Sequence, residues 1–109
     1  MINLDSEEAE ILTVSCAGGS DFHLSFPIDK TTVHGTKILL EIRGLKGGHS
    51  GIDIDKGRIN AAVLTGRLLH YASKTAAFHI MNIQGGTKGN AIPFCCKAEL
   101  VADDAENLI

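Results

Sequence analysis

The apolar positions change period once along the chain. From Thr36 to Leu45, Ile38, Leu40 and Ile42 recur at every second place between Gly35 and Gly44, which predicts a strand with one well-buried face. From Ile59 onward the spacing becomes three and four. Ile59, Ala62, Val63, Gly66, Leu69 and Ala72 or Ser73 share one side of a helical wheel, predicting a helix from about Lys56 to Ser73 with that stripe facing the core. Asp53 or Asp55 stands where a carboxylate accepts from the free amides of a first turn. Gly66 costs such a helix about 1 kcal/mol relative to alanine, and so points to a close helix-to-sheet crossing.

On either side of this core the pattern is shorter. Ile11 to Ala17 and the alternating run Phe22 to Phe26 flank the turn residues Gly18-Gly19-Ser20-Asp21, which together predict a hairpin. Ala77 to Ile83 and Ala91 to Ala102 read as two further strands, the latter with Pro93 at an edge or starting position. Asp103-Asp104-Ala105-Glu106 has the acidic start of a second helix. The helix pattern is cut off after Ile109, as expected of an excised piece. The order strand, helix, strand, strand, helix predicts an α+β fold: a ferredoxin-like four-stranded antiparallel sheet with two helices on one face, preceded by a short N-terminal β-hairpin.

A length of 109 residues fits one small domain, and 44% hydrophobic with 21% charged residues fits a chain that packs a core. A net charge of −3 provides no footprint for nucleic acid. No apolar run nears the roughly 20 residues that span a bilayer, and no signal-peptide pattern precedes Asp5, so no membrane is involved and a cytoplasmic location is expected. The three cysteines, Cys16, Cys95 and Cys96, are odd in number and two are vicinal. Neighbours in a strand point to opposite faces, so free buried thiols are expected in place of a disulfide framework.

Candidate chemistry concentrates in Gly44-Leu45-Lys46-Gly47-Gly48-His49-Ser50-Gly51, where four of eight residues lack a β-carbon. Such a backbone turns tightly and approaches another molecule closely, which makes His49 a candidate for outward-facing chemistry. The alternative is a glycine-rich loop with an incidental surface histidine.

Further motifs bear on that choice. Asn3-Leu4-Asp5-Ser6-Glu7-Glu8, Cys16-Ala17-Gly18-Gly19, the segment around His49, Asp55-Lys56-Gly57-Arg58-Ile59-Asn60-Ala61 and Gly85-Gly86-Thr87-Lys88-Gly89-Asn90-Ala91-Ile92-Pro93 follow one another along nearly the whole chain. In order and spacing they resemble the aminoacyl-histidine dipeptidases, that is, the Xaa-His or cytosol non-specific dipeptidases of the di-zinc exopeptidase superfamily. The resemblance implies a lid or dimerisation domain, residues 11–109, after a short lead-in, residues 1–10, from a catalytic domain. It implies a homodimer acting on a dipeptide substrate such as Xaa-His, and two zinc ions in the full-length enzyme with none bound by this fragment alone.

The same resemblance assigns roles. His49 would reach an active site, often that of the partner subunit, and stabilise the oxyanion on the scissile carbonyl. Asn90 would help bind substrate, the alternative being an ordinary turn asparagine with φ > 0. Asp5 matches a zinc ligand, although one carboxylate makes no site and Asp5 to Glu8 also reads as a solvated acidic run. The general base and the other ligands belong to absent sequence, so the fragment is expected to be inactive. Related proteins often carry a basic residue at the place of Gly89 and Arg-Glu at the place of Phe94-Cys95. No arginine follows Arg67, so carboxylate recognition, if the lid provides it, would use Lys88 or a residue beyond Ile109. Arg58 and Asn60 are expected to hold the glycine-rich loop against the helix start and so aim His49. A different class, a free-standing ferredoxin-like binding or assembly module, would have no use for the acidic motif at Asp5.

Overall fold

In the computed structural model, which describes residues 10–12, 14, 15 and 18–103, the chain divides into two compact units, Met1–Lys30 and Thr31–Ile109. The second unit holds the regular structure. Among its described residues the strands are β1 (Thr36–Ile42), β2 (Gly48–His49), β3 (His79–Gly85), β4 (Ala91–Ile92) and β5 (Cys96–Ala102), with one helix, α1 (Ala61–Ala72), and a single 3-10 turn at Ile54–Lys56.

Strand β5 is the centre of a three-stranded antiparallel sheet of order β1-β5-β3. Its alternation explains the position: Cys96, Ala98, Leu100 and Ala102 are buried, whereas Lys97 and Glu99 are exposed. Helix α1 lies over β5 and β1, packing Leu69 on Ala98 and Leu100 with Ile38, Leu40 and Phe78 around them. On the other face Lys97 meets Glu41, its partner in the β1–β5 register, at 3.1 Å.

A bulge at Met81 shapes the third strand. Ile80 pairs with Leu100 and Asn82 with Glu99, so Met81 is the extra residue. Because a strand alternates faces, Ile80 and Ile83 would otherwise point to opposite sides; the bulge brings Ile83 opposite Ala98 and puts both isoleucines on the helix-side face. There they remain about half exposed. The ladder runs two residues beyond the predicted end at Ile83 because Gly85 pairs with Cys96, where a β-carbon would lie 2.8 Å from the Cys96 sulfur.

The sheet has one strand fewer than the predicted four. The run expected to be continuous from Ala91 to Ala102 breaks at Pro93–Cys95, and its first part, β4, pairs with β2 in a separate two-stranded ladder. Proline has no amide to offer a ladder, and the Pro93 carbonyl accepts from Ala61 N at 2.9 Å. The predicted N-terminal hairpin is not formed by the described residues: 22–26 is not in a strand and pairs with no described residue, and Phe22, Leu24 and Phe26 stay exposed. Alternation without a partner surface supplies little burial. Thr13, Cys16, Ala17 and the predicted second helix beyond Asp103 lie outside the described residues.

Helix α1 begins later than expected and presents a different stripe. Its cap is Asn60, whose Oδ1 accepts from Ala62 N at 2.9 Å and Val63 N at 3.2 Å. Asp53 and Asp55 belong instead to the preceding 3-10 turn, which Gly57 ends in the left-handed region at φ 60°. The buried stripe is Ala61, Thr65 and Leu69, while Ala62, Val63 and Gly66 face outward. Thr65 is a polar residue that burial tolerates because its hydroxyl donates to Ala61 O at 2.9 Å, and the small side chains let the helix lie close to the sheet. Gly66 therefore marks no close crossing, since nothing lies within 4 Å of where its β-carbon would be.

Gly66→Ala is accordingly expected to stabilise the fold by about 0.5–1 kcal/mol, read as a higher urea midpoint at unchanged slope. A lower midpoint would mean that this face of α1 is packed after all.

Candidate functional site

His49 and Asn90 come together through the small ladder. Gly48 pairs with Ile92 and His49 with Ala91, and Ser50 N donates to Asn90 O at 3.0 Å. Lys88 begins the turn that leads in, its carbonyl accepting from Ala91 N at 3.2 Å. An open groove of about 610 Å³ runs alongside, lined by Ser50, Lys88 and the residues on both sides of Asn90. Asn90 does not adopt φ > 0, for among the described residues Glu10 alone does so outside glycine. A left-handed turn is thus not the reason for an asparagine there.

The imidazole is held by its own turn. Nδ1 of His49 accepts from Gly51 N at 3.1 Å and from Ile52 N at 3.2 Å. An accepting ring nitrogen carries no hydrogen, so the neutral ring has its hydrogen on Nε2. His49 is exposed, and Nε2–H is left as a donor for an external acceptor.

Beneath this turn sits a residue that sequence reasoning treated only as a helix cap. Asp53 Oδ2 accepts from His49 N at 2.8 Å and from Arg58 Nη1 at 3.0 Å, while Oδ1 accepts from Lys56 Nζ at 2.7 Å. The same Arg58 nitrogen donates to Gly47 O at 2.6 Å. Asp53 and Arg58 side chains are only 15% and 16% exposed, compared with 51% for Lys56, so the inner pair is partly desolvated and the outer one is at the surface. Gly48 is required for this arrangement: at φ +143°, a β-carbon would collide with Arg58 Nη1 and Asp53 Oδ2. The signal available in the sequence was an acid four residues after the histidine and followed by two cations.

Of the expected brace, the Arg58 contact to the loop is present, whereas the Asn60 side chain caps α1 through Ala62 N and Val63 N. Arg58 holds the loop before His49, and Asn60 starts the helix whose first amide, at Ala61, holds Pro93 after Asn90. Asp5 lies outside the described residues. Among those described, no group of three or more His, Cys, Asp or Glu side chains is placed to hold a metal ion. Cys95 and Cys96 are free, the first half-buried and the second buried. No described helix is long and apolar enough to cross a membrane.

The Lys56 ammonium on Oδ1 and the His49 amide on Oδ2, aided by the Arg58 charge, lower the Asp53 pKa from 3.8 to about 2, against a desolvation that raises it. A carboxylate whose pKa is lower folded than unfolded stabilises the fold fully above its unfolded value and loses that contribution as pH falls through the folded one. The stability gap between the wild type and Asp53→Asn is therefore expected to be constant above about pH 4.5 and to shrink between about pH 4 and pH 2. Urea unfolding across that window measures it; a gap independent of pH would show that Asp53 is not held ionised.

The sequence profile of the peptidase dimerisation domain matches residues 40–106. The chain is also 39% identical over 95 residues, 85% of its length, to the cytosol non-specific dipeptidase of Escherichia coli (strain K12), and it spans 20% of that protein.

Proposed function

Because the chain belongs to the peptidase dimerisation domain family, we propose that it is the lid and dimerisation domain of a dipeptidase and that it lends His49 to peptide hydrolysis. The observation that carries this reading is the occupied Nδ1 of His49, which leaves a neutral Nε2–H donor on an exposed turn beside Asn90. A neutral donor aimed at the carbonyl oxygen interacts more strongly as charge develops there, which is what lowers a barrier instead of merely binding substrate. Asn90, an uncharged amide in the turn just before β4, orients the peptide, and Lys88 at the groove meets the terminal carboxylate. The proposed substrates are dipeptides, by analogy with the activity in the name of the bacterial relative, and those with C-terminal histidine are proposed among them from the motif resemblance alone.

The catalytic water, its base and two zinc ions belong in this reading to a catalytic domain, with Asp5 as one ligand. Beyond that one carboxylate, the part of this chain in the reaction is to donate and to orient. The chain alone is inactive on this view, and it acts in the cytoplasm as the relative's name indicates for that protein.

In the complete protein, His49→Ala is expected to lower kcat by roughly 100- to 1000-fold on a dipeptide such as Gly-His, the cost of one oxyanion donor. A rate within a few-fold of wild type rules the role out. Asn90→Ala is expected to raise KM more than it lowers kcat.

Pairing of two copies is the other half of the proposal. The half-exposed Ile80, Met81 and Ile83 on β3, with Leu39 on β1, leave apolar surface and sheet edges of the kind that association covers. Sedimentation equilibrium of the chain is expected to fit a monomer–dimer equilibrium; a strict monomer at high concentration contradicts retained pairing.

A further inference from the structure

We infer that Asp53 is a positioning residue for His49: braced by Arg58, its carboxylate closes the 49–53 turn and thereby decides which imidazole nitrogen is offered outward. This rests on the catalytic reading of His49 given above.

Residues 49 and 53 are tied twice, in opposite directions. His49 N donates to Asp53 Oδ2 at 2.8 Å, and Asp53 N donates to His49 O at 3.0 Å. The closed ring forces two of the three intervening amides, Gly51 N and Ile52 N, to converge on Nδ1, the third, Ser50 N, donating to Asn90 O. Remove the carboxylate and the ring is held by one bond, the His49 amide loses its acceptor, and the two amides have nothing to keep them pointed inward. A ring free to rotate offers Nδ1 or Nε2, with or without hydrogen, and an unprotonated nitrogen facing an oxyanion repels it.

Two features separate this arrangement from a surface ion pair. First, Asp53 acts from a braced position, because the Arg58 nitrogen that holds Oδ2 also holds Gly47 O, fixing the carboxylate relative to the chain entering β2. Second, the site is cut to fit the pair: only an absent β-carbon at residue 48 leaves room for the guanidinium and carboxylate under the loop. Lys56 contacts the other oxygen, Oδ1, from the solvent side, so it lies outside the ring that orients the imidazole.

The test uses the complete protein carrying this chain, labelled with 15N, and reads the imidazole nitrogen shifts of His49, the exchange protection of the Gly51 and Ile52 amides, and steady-state kinetics on Gly-His. Wild type is expected to show a single Nε2–H form. In Asp53→Ala the His49 shifts are expected to move toward those of the exposed His23, the two amides to lose protection, and kcat to fall by roughly 10- to 100-fold with KM within a few-fold, the signature of a misplaced donor. Lys56→Ala should leave all three readouts unchanged. If Asp53→Ala does not fold, as judged by the β5 amides, Asp53→Glu keeps the charge but shifts the carboxylate by one methylene, and the same changes are expected. Wild-type ring shifts and amide protection in the folded Asp53 variant overturn the inference whatever the activity, as does an unchanged kcat when His49→Ala is defective. Full activity in His49→Ala instead overturns the catalytic reading of His49, and Asp53 then has no catalytic donor to position.

Discussion

The carboxylate of Asp53 is where the chain's separate segments are made to agree. Its two oxygens take donors from the turn that carries His49, from Lys56 and from the arginine just before α1. That arginine also holds the carbonyl preceding β2. Three residues later, Ala61 N reaches the Pro93 carbonyl just beyond β4. The start of one helix thus fixes both sides of the small β2–β4 ladder, and everything proposed for His49 and Asn90 depends on that common support.

The sheet and helix supply stiffness, not chemistry. Alternation along β5 buries Ala98 and Leu100 against Leu69, giving α1 a fixed seat and so a fixed first turn. The site is placed at the end of this layer, where the sheet has stopped and irregular chain takes over. Beyond the two-residue β2–β4 ladder, backbone there has no strand to pair with, and side chains such as Asn60, Asp53 and Arg58 satisfy its polar groups instead.

What could be read from the residues follows from how local each cause is. The periods of β1, β5 and α1 are local, and those elements fall inside the runs the pattern marks, β5 and α1 each starting five residues after the expected first residue. The break at Pro93 and the bulge at Met81 depend on what lies across the sheet or at the helix start, and no stretch of ten residues contains that information. The helix stripe misled for a related reason: counting hydrophobicity ranks Val63 above Thr65, yet Thr65 is buried because its hydroxyl is satisfied within its own helix. At the site, glycine spacing and motif order pointed to His49 and Asn90, and the expected brace by Arg58 has its counterpart in the bond to Gly47. Asp53 was overlooked because an acid ahead of a helix has an ordinary explanation as a cap, and only the competing claim of Asn60 removes it.

Most of the remaining ties that hold the site in place run between backbone groups: Ser50 N to Asn90 O, Ala61 N to Pro93 O, Ala91 N to Lys88 O. Backbone groups are common to nearly every residue type, so side chains at 87–89 and 94–95 can be exchanged without moving the imidazole. On the proposed reading, such a scaffold lets selection rewrite which peptides are accepted while the donating imidazole stays put, and the two kinds of change can be inherited separately.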